Sequence, residues 1–405
     1  MNFMRRLART SDGIAKGFYL LAIVTRGTLR HKLISLYLQS DANKNKVDEV
    51  LSMGIKSVAP LKRESTVTLS KSAVVKAPTE QEKGVLIVGF EHELDKLTCS
   101  EAFEFICEHY LILFMPTWQP FYSDALLRFL KRKPKNLIIL PSSRECYYKT
   151  LSHTHYALLP FHASSWIDEK IYSPQAKTID ILMLANFATY KRHKLLFEAL
   201  RSMPRELRVV LVGRPAVGRT ARDILAEAKA CGVEDRFELI QGATNDDVRN
   251  YLCSARLVLG LSGREGSYVG LAEALFADTP VAIYADAVVG TKNYVNPQTG
   301  FLIQPKVPLS EQLAKFLELA SSLQPRDWAI RNISAKLNNQ RLNYLLARHE
   351  KQHDRSWSRD CDQFRIQSFQ FEPMSFSTWS EPVIRAADSL AGKGFVIRTQ
   401  VDIDE

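Results

Sequence analysis

A chain of 405 residues is long enough for two ordinary domains, each burying its own core. Its formal charge of +10 favours an anionic contact such as a membrane surface, nucleic acid or a phosphorylated substrate. No apolar run reaches the ~20 residues that span a bilayer, and six scattered cysteines without a CxxC pair suit reduced thiols in a cytosolic protein and argue against a zinc site.

Residues 1–82 are expected to form a basic helical N-terminal segment and a linker. Arg5, Arg6, Arg9, Lys16, Arg26, Arg30 and Lys32 oppose only Asp12 over the first 35 residues, interleaved with Phe3, Phe18, Tyr19, Leu20 and Leu21. Such a segment either lies on an anionic leaflet or forms a surface helix with a solvated basic face. Residues 60–82, rich in Ser, Thr, Lys and Pro, suggest a linker or irregular insertion.

From residue 83 short apolar strands alternate with helices. Strands are expected at 85–88, 111–114, 136–140 and 156–159, with helices near 100–108, 123–131 and 144–151. The alternation predicts a parallel sheet covered on both faces, and hence an α/β Rossmann-like domain over 83–174.

A second domain is expected over 175–325. Strands at 179–184, 207–212 and 237–240 are each followed by a turn and a helix: loop 185–192 and helix 193–203, then Gly213-Arg214 and helix 220–231, then Gln241-Gly242 and helix 246–253. Residues 256–261 form the next strand. They lead into Glu265-Gly266-Ser267-Tyr268-Val269-Gly270-Leu271-Ala272-Glu273, a small-residue turn running into a helix that stops at Asp278-Thr279-Pro280. The first N–H groups of that helix have no internal acceptor and suit phosphate or sugar oxygens. Glu265 falls in the turn and Glu273 about two turns along, at ~3.6 residues per turn, so both can face one crevice. A carboxylate accepts hydrogen bonds from two adjacent hydroxyls, as ribose or hexose presents them. After Pro305 come a helix at 310–319 and a polar, aromatic-bearing stretch, taken over 326–405 as a C-terminal crossover and tail.

The Glu265–Glu273 pair resembles the E-x7-E signature of retaining family-4-type glycosyltransferases, the glycosyl transferases group 1, which have the GT-B fold: two Rossmann-like domains facing each other across a cleft. The order of elements over 179–305 is similar to that family's second domain, with Val212-Gly213 and 239–242 fitting well. Asn186 stands where arginine is common, and Lys191-Arg192 where the family has a lysine. The phrase from Leu158 to Pro174 matches the family's interdomain crossing loosely.

The resemblance implies a metal-independent glycosyltransferase without a cofactor. Its substrates would be a nucleotide-sugar donor and a glycan or lipid-linked acceptor, with retention of configuration, in polysaccharide or glycoconjugate biosynthesis. Glu265 would position the sugar and Glu273 the ribose; Lys191 and Arg192, with N–H groups near Gly266 and Ser267, would hold the diphosphate. Tyr268, Asn186, Gly213, Arg214, Gln241 and Gly242 would border the donor. In the first domain, which lacks the family's glycine pair, His92 is the candidate for a histidine near the reacting carbon. The expected location is the cytoplasm, at the inner face of the membrane if the basic N-terminus binds it.

Two other classes share these donor contacts, a sugar-nucleotide epimerase and a non-catalytic nucleotide-sugar-binding subunit. A nicotinamide enzyme is disfavoured because no G-x-G-x-x-G follows the first strand of either domain, and no aromatic-plus-basic motif supports nucleic-acid binding.

Overall fold

The computed structural model describes residues 58–117, 123–134, 136–141, 157–159, 161, 166–367, 370–374 and 378–398, with single residues at 21, 33 and 55. The basic segment, the helix expected at 144–151 and most of the phrase from 158 to 165 lie outside them. The chain forms two compact units: residues 1–163, 341–364 and 369–405 in one, residues 164–340 and 365–368 in the other.

Unit 1 is built on a five-stranded sheet of order β2-β3-β4-β5-β6, comprising β2 (Ser72–Lys76), β3 (Gly84–Gly89), β4 (Tyr110–Met115), β5 (Leu137–Ile139) and β6 (Ala157–Leu158). Pairings from β3 through β6 are parallel, while β2 runs antiparallel to β3. Every residue of β3 and β4 is buried. Continuous apolar sequence of this kind belongs to inner strands covered on both faces, each Val, Leu or Ile contributing about 1.5–3 kcal/mol by burial. Helices α1 (Glu91–Cys99), α2 (Phe103–His109) and α3 (Asp124–Lys131) connect the strands; Ser123 caps α3, its hydroxyl accepting from the Leu126 N–H.

Three expectations are corrected here. Residues 60–82 are not a linker, because they hold β1 (Val67–Leu69) and the fully buried β2, whose Ser-Ala-Val-Val core is masked in composition by the polar residues around it. The first helix starts at Glu91, directly after β3, and a second begins at Phe103, where one helix near 100–108 was expected. The C-terminal stretch is also folded. Helix α11 (Glu381–Ala391) and strand β15 (Phe395–Ile397) belong to this unit, and β15 pairs in parallel with β1.

Unit 2 has a six-stranded, wholly parallel sheet of order β12-β11-β10-β7-β8-β9. Its strands are β7 (Ile179–Leu184), β8 (Val209–Gly213), β9 (Glu238–Gln241), β10 (Ala255–Gly260), β11 (Val281–Tyr284) and β12 (Gly300–Ile303). Helices α4 (His193–Leu200), α5 (Ala221–Ala230), α6 (Asn245–Ser254), α7 (Val269–Phe276), α8 (Leu309–Leu319) and α9 (Pro325–Ile333) pack on it. Helix α10 (Ala335–Gln352) carries the chain out of this unit, and the short strands β13 (Phe364–Gln367) and β14 (Gln370–Pro373) follow. Two apolar layers cover the sheet, one containing Leu182, Val258, Leu275 and Phe276, the other Ile181, Phe197, Leu211 and Leu257. The unit opens at residue 164 instead of 175 because Trp166 is fully buried and Ile167 is part of the first layer.

The strand order decides where a ligand sits. From β7 the chain proceeds outward through β8 and β9; from β10 it proceeds the other way through β11 and β12. The loops leaving the carboxyl ends of β7 and β10 therefore diverge at adjacent strands. That divergence is the topological switch point at which open α/β sheets bind ligands.

Candidate functional site

Both loops at the switch point carry the residues singled out in the sequence. After β7, residues Thr189–Lys191 make one 3-10 turn, and Arg192 (φ 60°, ψ 41°) takes the left-handed conformation that starts α4. That kink turns Lys191 inward, so that its side chain is only 8% exposed and its Nζ lies 2.6 Å from Glu265 Oε1. A cation beside a helix N-terminus opposes the dipole and needs a nearby anion. Glu265 is that anion. The Lys191 ammonium also lies 4.1 Å from the Tyr268 ring centroid and 5.5 Å from that of Tyr190.

The turn after β10 is fixed by a second segment that the sequence did not single out. Glu265 N–H donates to Val288 O, Val288 N–H to Gly263 O, Gly290 N–H to Gly266 O and Thr291 N–H to Ser267 O. This ladder spends the Glu265 N–H and the carbonyls of Gly266 and Ser267 on structure. It leaves Val269 and Gly270, first in α7, with N–H groups that meet no acceptor among the described residues. Tyr268 caps α7 in a left-handed conformation (φ 55°), and its hydroxyl donates to Leu184 O at 2.8 Å, tying the two switch-point loops together. Burial and the Glu265 charge push its phenol well above the ordinary range. Tyr268 is thus a brace between the loops.

Arg192 reaches the same turn. A Cβ at Gly263 would stand 2.1 Å from Arg192 Nη2, so the guanidinium occupies the space a side chain there would take, and it lies 5.9 Å from the Tyr284 ring centroid. Burial raises the Tyr284 phenol and the Arg192 charge draws it back. Gly213 ends β8 against the β7 loop: a Cβ there would meet Ala185 O at 2.3 Å and the Phe187 ring at 2.6 Å. The close approach of the Ala185–Phe187 backbone accounts for this glycine.

Glu273 is half-buried on α7 with different partners. Burial raises its carboxyl, against the pull of the nearby Tyr172 hydroxyl and of the Arg249 charge on α6. No contact joins Glu273 to Glu265 among the described residues. Asn186 is engaged locally, its Oδ1 accepting from Ala188 N–H at 3.2 Å. Arg214 is exposed, and its carbonyl accepts from Phe187 N–H. Gln241 and Gly242 are exposed after the edge strand β9, two strand spacings or roughly 10 Å from β7. Gly242 is there for its positive φ of 79°.

His92 belongs to unit 1. Its side chain is 60% exposed, with Nε2 at 3.5 Å from Glu93 Oε1 and the ring stacked on Phe90. Phe90, between β3 and α1, has φ 65° and ψ 155°, a region that normally demands glycine, at the corner where the family's glycine pair is missing. Residues that sequence reasoning missed include Tyr172, Tyr190, Arg249, Gly263, Tyr284 and the 288–291 segment. Of these, Tyr190 lay in the loop expected at 185–192, and Gly263 just ahead of the turn that begins at Glu265.

Among the described residues no group of three or more His, Cys, Asp or Glu side chains could hold a metal ion, and no helix is long and apolar enough to cross a membrane.

A parallel sheet with basic and acidic side chains meeting at its switch point has the layout of an open α/β ligand-binding unit. Residues 164–334 match the family model described as "Glycosyl transferases group 1". A 100-residue stretch is 33% identical to the GDP-mannose:cellobiosyl-diphosphopolyprenol alpha-mannosyltransferase of Komagataeibacter xylinus; it covers 24% of this chain and about a quarter (25%) of that protein. In fold, the chain is similar to a sucrose-phosphate synthase from Thermosynechococcus elongatus, with a TM-score of 0.54 at 15% identity over 66% of this chain and 74% of that one. It is also similar to HepE of Anabaena, solved with UDP and glucose, with a TM-score of 0.51 at 12% identity over 81% and 95% of the two chains. Its two Rossmann-like units place the chain in the GT-B fold class.

Proposed function

We propose that the protein is a glycosyltransferase that moves a sugar from a nucleotide-sugar donor to a glycan or lipid-linked acceptor in polysaccharide or glycoconjugate biosynthesis. The observation that carries this is the Lys191–Glu265 pair at the switch point of the domain matching the group 1 family. Sugar transfer needs a neutralised diphosphate, an oriented sugar and a deprotonated acceptor hydroxyl. Lys191, Arg192 and the α7 N–H groups supply positive potential for the first, in place of a divalent ion. Glu265 orients the sugar, and its pairing with Lys191 holds both charges ready in one place. The configuration is retained, with the leaving phosphate oxygen accepting the acceptor proton. The alpha-mannosyltransferase similarity supports a hexosyl donor. The basic N-terminal segment brings the enzyme to the cytoplasmic membrane face.

A thermal-shift panel of UDP-, GDP- and ADP-sugars on wild type and on Glu273→Ala tests this, because a ligand of the native state raises the midpoint by mass action. One nucleotide class raises the wild-type midpoint and hardly moves the variant. Acceptor extracts are then required for release of free nucleotide. Turnover of donor without acceptor identifies an epimerase instead, and binding without turnover a non-catalytic subunit. No shift with any donor refutes donor binding itself.

A further inference from the structure

The loop between β8 and α5 contains a closed two-residue hairpin. Ala216 N–H donates to Arg219 O at 3.1 Å and Arg219 N–H to Ala216 O at 3.0 Å, with Val217 (φ 53°) and Gly218 (φ 74°) at the corner. Positive φ at both central positions defines the turn that Asn-Gly or Asp-Gly makes readily. A β-branched residue is the type least suited to that conformation. Packing gives Val217 nothing in return, because its side chain stands 82% exposed. A residue that strains the backbone and faces solvent is not explained by the fold, and strain of this kind gathers at functional surfaces.

The helix that follows is basic on its outer face. Arg219 Nη2 lies 2.6 Å from Glu227 Oε1, which pins the foot of the hairpin to α5. Asp223 is spent on the helix cap, accepting from the Thr220 N–H at 2.7 Å and from the Thr220 hydroxyl at 3.0 Å. Both acids of α5 are thus engaged within the chain. Arg222 and Lys229, by contrast, form no ion pair among the described residues. Leu225, 44% exposed, lies three residues from one and four from the other, so the three share one helical face. Ile224 and Ala228 bury the opposite face against the sheet.

We propose that the Val217 hairpin and the outer face of α5 form a contact for an anionic lipid bilayer, with Val217 and Leu225 entering the interface between headgroups and Arg222 and Lys229 pairing with lipid phosphates. Charge complementarity selects that partner: free cations beside fully engaged acids match a surface of uniform negative charge. Isolated aliphatic side chains without a groove suit a fluid interface, which needs no shape complementarity. The hairpin leaves β8 at the carboxyl edge of the sheet, the edge that bears the Lys191–Glu265 pair. A bilayer held there lies on the side that a lipid-linked acceptor must reach, and that consequence alone rests on the glycosyltransferase reading. The contact is distinct from the basic N-terminal segment and requires no nucleotide.

The test is co-sedimentation of the full-length protein with vesicles, without nucleotide, comparing phosphatidylcholine alone with phosphatidylcholine and phosphatidylglycerol in equal parts. Wild type should bind the anionic vesicles and release them as salt screens the charge. Val217→Asn puts at the corner a residue that the turn favours, so the thermal midpoint should rise while vesicle affinity falls several-fold. Arg222→Gln combined with Lys229→Gln should weaken binding by about fivefold per charge and flatten the salt dependence. Failure of wild type to bind anionic vesicles overturns the inference. So does wild-type affinity in either variant, which would assign the binding to the N-terminal segment. A lower thermal midpoint in Val217→Asn overturns it as well, because the valine would then serve the fold. Absence of a nucleotide-sugar shift in wild type refutes the donor reading and leaves this contact standing, whereas loss of vesicle binding alone refutes only the contact.

Discussion

Lys191 Nζ lies 2.6 Å from Glu265 Oε1, with side chains 8% and 13% exposed. Each residue comes from a different loop, and the two loops leave adjacent strands in opposite directions. Two desolvated charges of this kind hold each other, and removal of one strands the other. Lys191→Ala should therefore lower both stability and donor affinity. The expected loss is about 3 kcal/mol in urea unfolding, and nucleotide diphosphate titration should show little heat. Glu265→Gln should retain more diphosphate affinity than Lys191→Ala, because the cation remains, while transfer collapses.

Gly263→Ala and Gly213→Ala separate function from stability. At Gly263 the added Cβ meets the far end of Arg192, a flexible side chain that can swing away. The melting temperature should hardly move, and diphosphate affinity should fall several-fold as the guanidinium is displaced. At Gly213 the Cβ meets the Ala185 carbonyl and the Phe187 ring, neither of which can yield without moving the β7 loop. Overpacking of this kind costs about 1–3 kcal/mol, visible as a lower thermal midpoint in calorimetry.

His193 makes unit 2 sensitive to mild acid. Burial, with Arg219 and then Lys191 nearby, holds its imidazole down at about 4, against an ordinary 6.5. Between those values the unfolded chain binds a proton that the folded chain refuses, so stability falls as the pH drops from about 6.5 to about 4 and levels off below. At ~1.4 kcal/mol per pKa unit the loss is on the order of 3 kcal/mol. His193→Gln should flatten that slope in pH-dependent urea unfolding.

Glu350 sets a separate, lower window in unit 1. Burial would raise its carboxyl, but hydrogen bonds from His349 and Arg355 outweigh that and hold it at about 2. A depressed carboxyl contributes stability above its unfolded value of 4.5 and loses it as the pH falls toward 2. Hydrogen exchange should show amides of unit 2 losing protection in milder acid than those around Glu350. Glu350→Gln should abolish the lower step.

The amino-acid sequence determined the alternation of strand and helix, the parallel pairing of β3 through β6 and of the unit 2 sheet, and the turn bearing Glu265, because inner strands advertise themselves as unbroken apolar runs such as Val85–Val88 and Val209–Val212. It placed Lys191 and Glu265 in one site only by resemblance, since they stand 74 positions apart. Strand order decided that they meet: β10 returns beside β7, and nothing local to either loop encodes that neighbour. The polar composition of 60–82 hid β2, and the polar tail hid β15, because an edge strand is specified by the partner it pairs with rather than by its own hydropathy. Local periodicity is a property of the chain, whereas charge pairing across a sheet is a property of how the chain returns to itself.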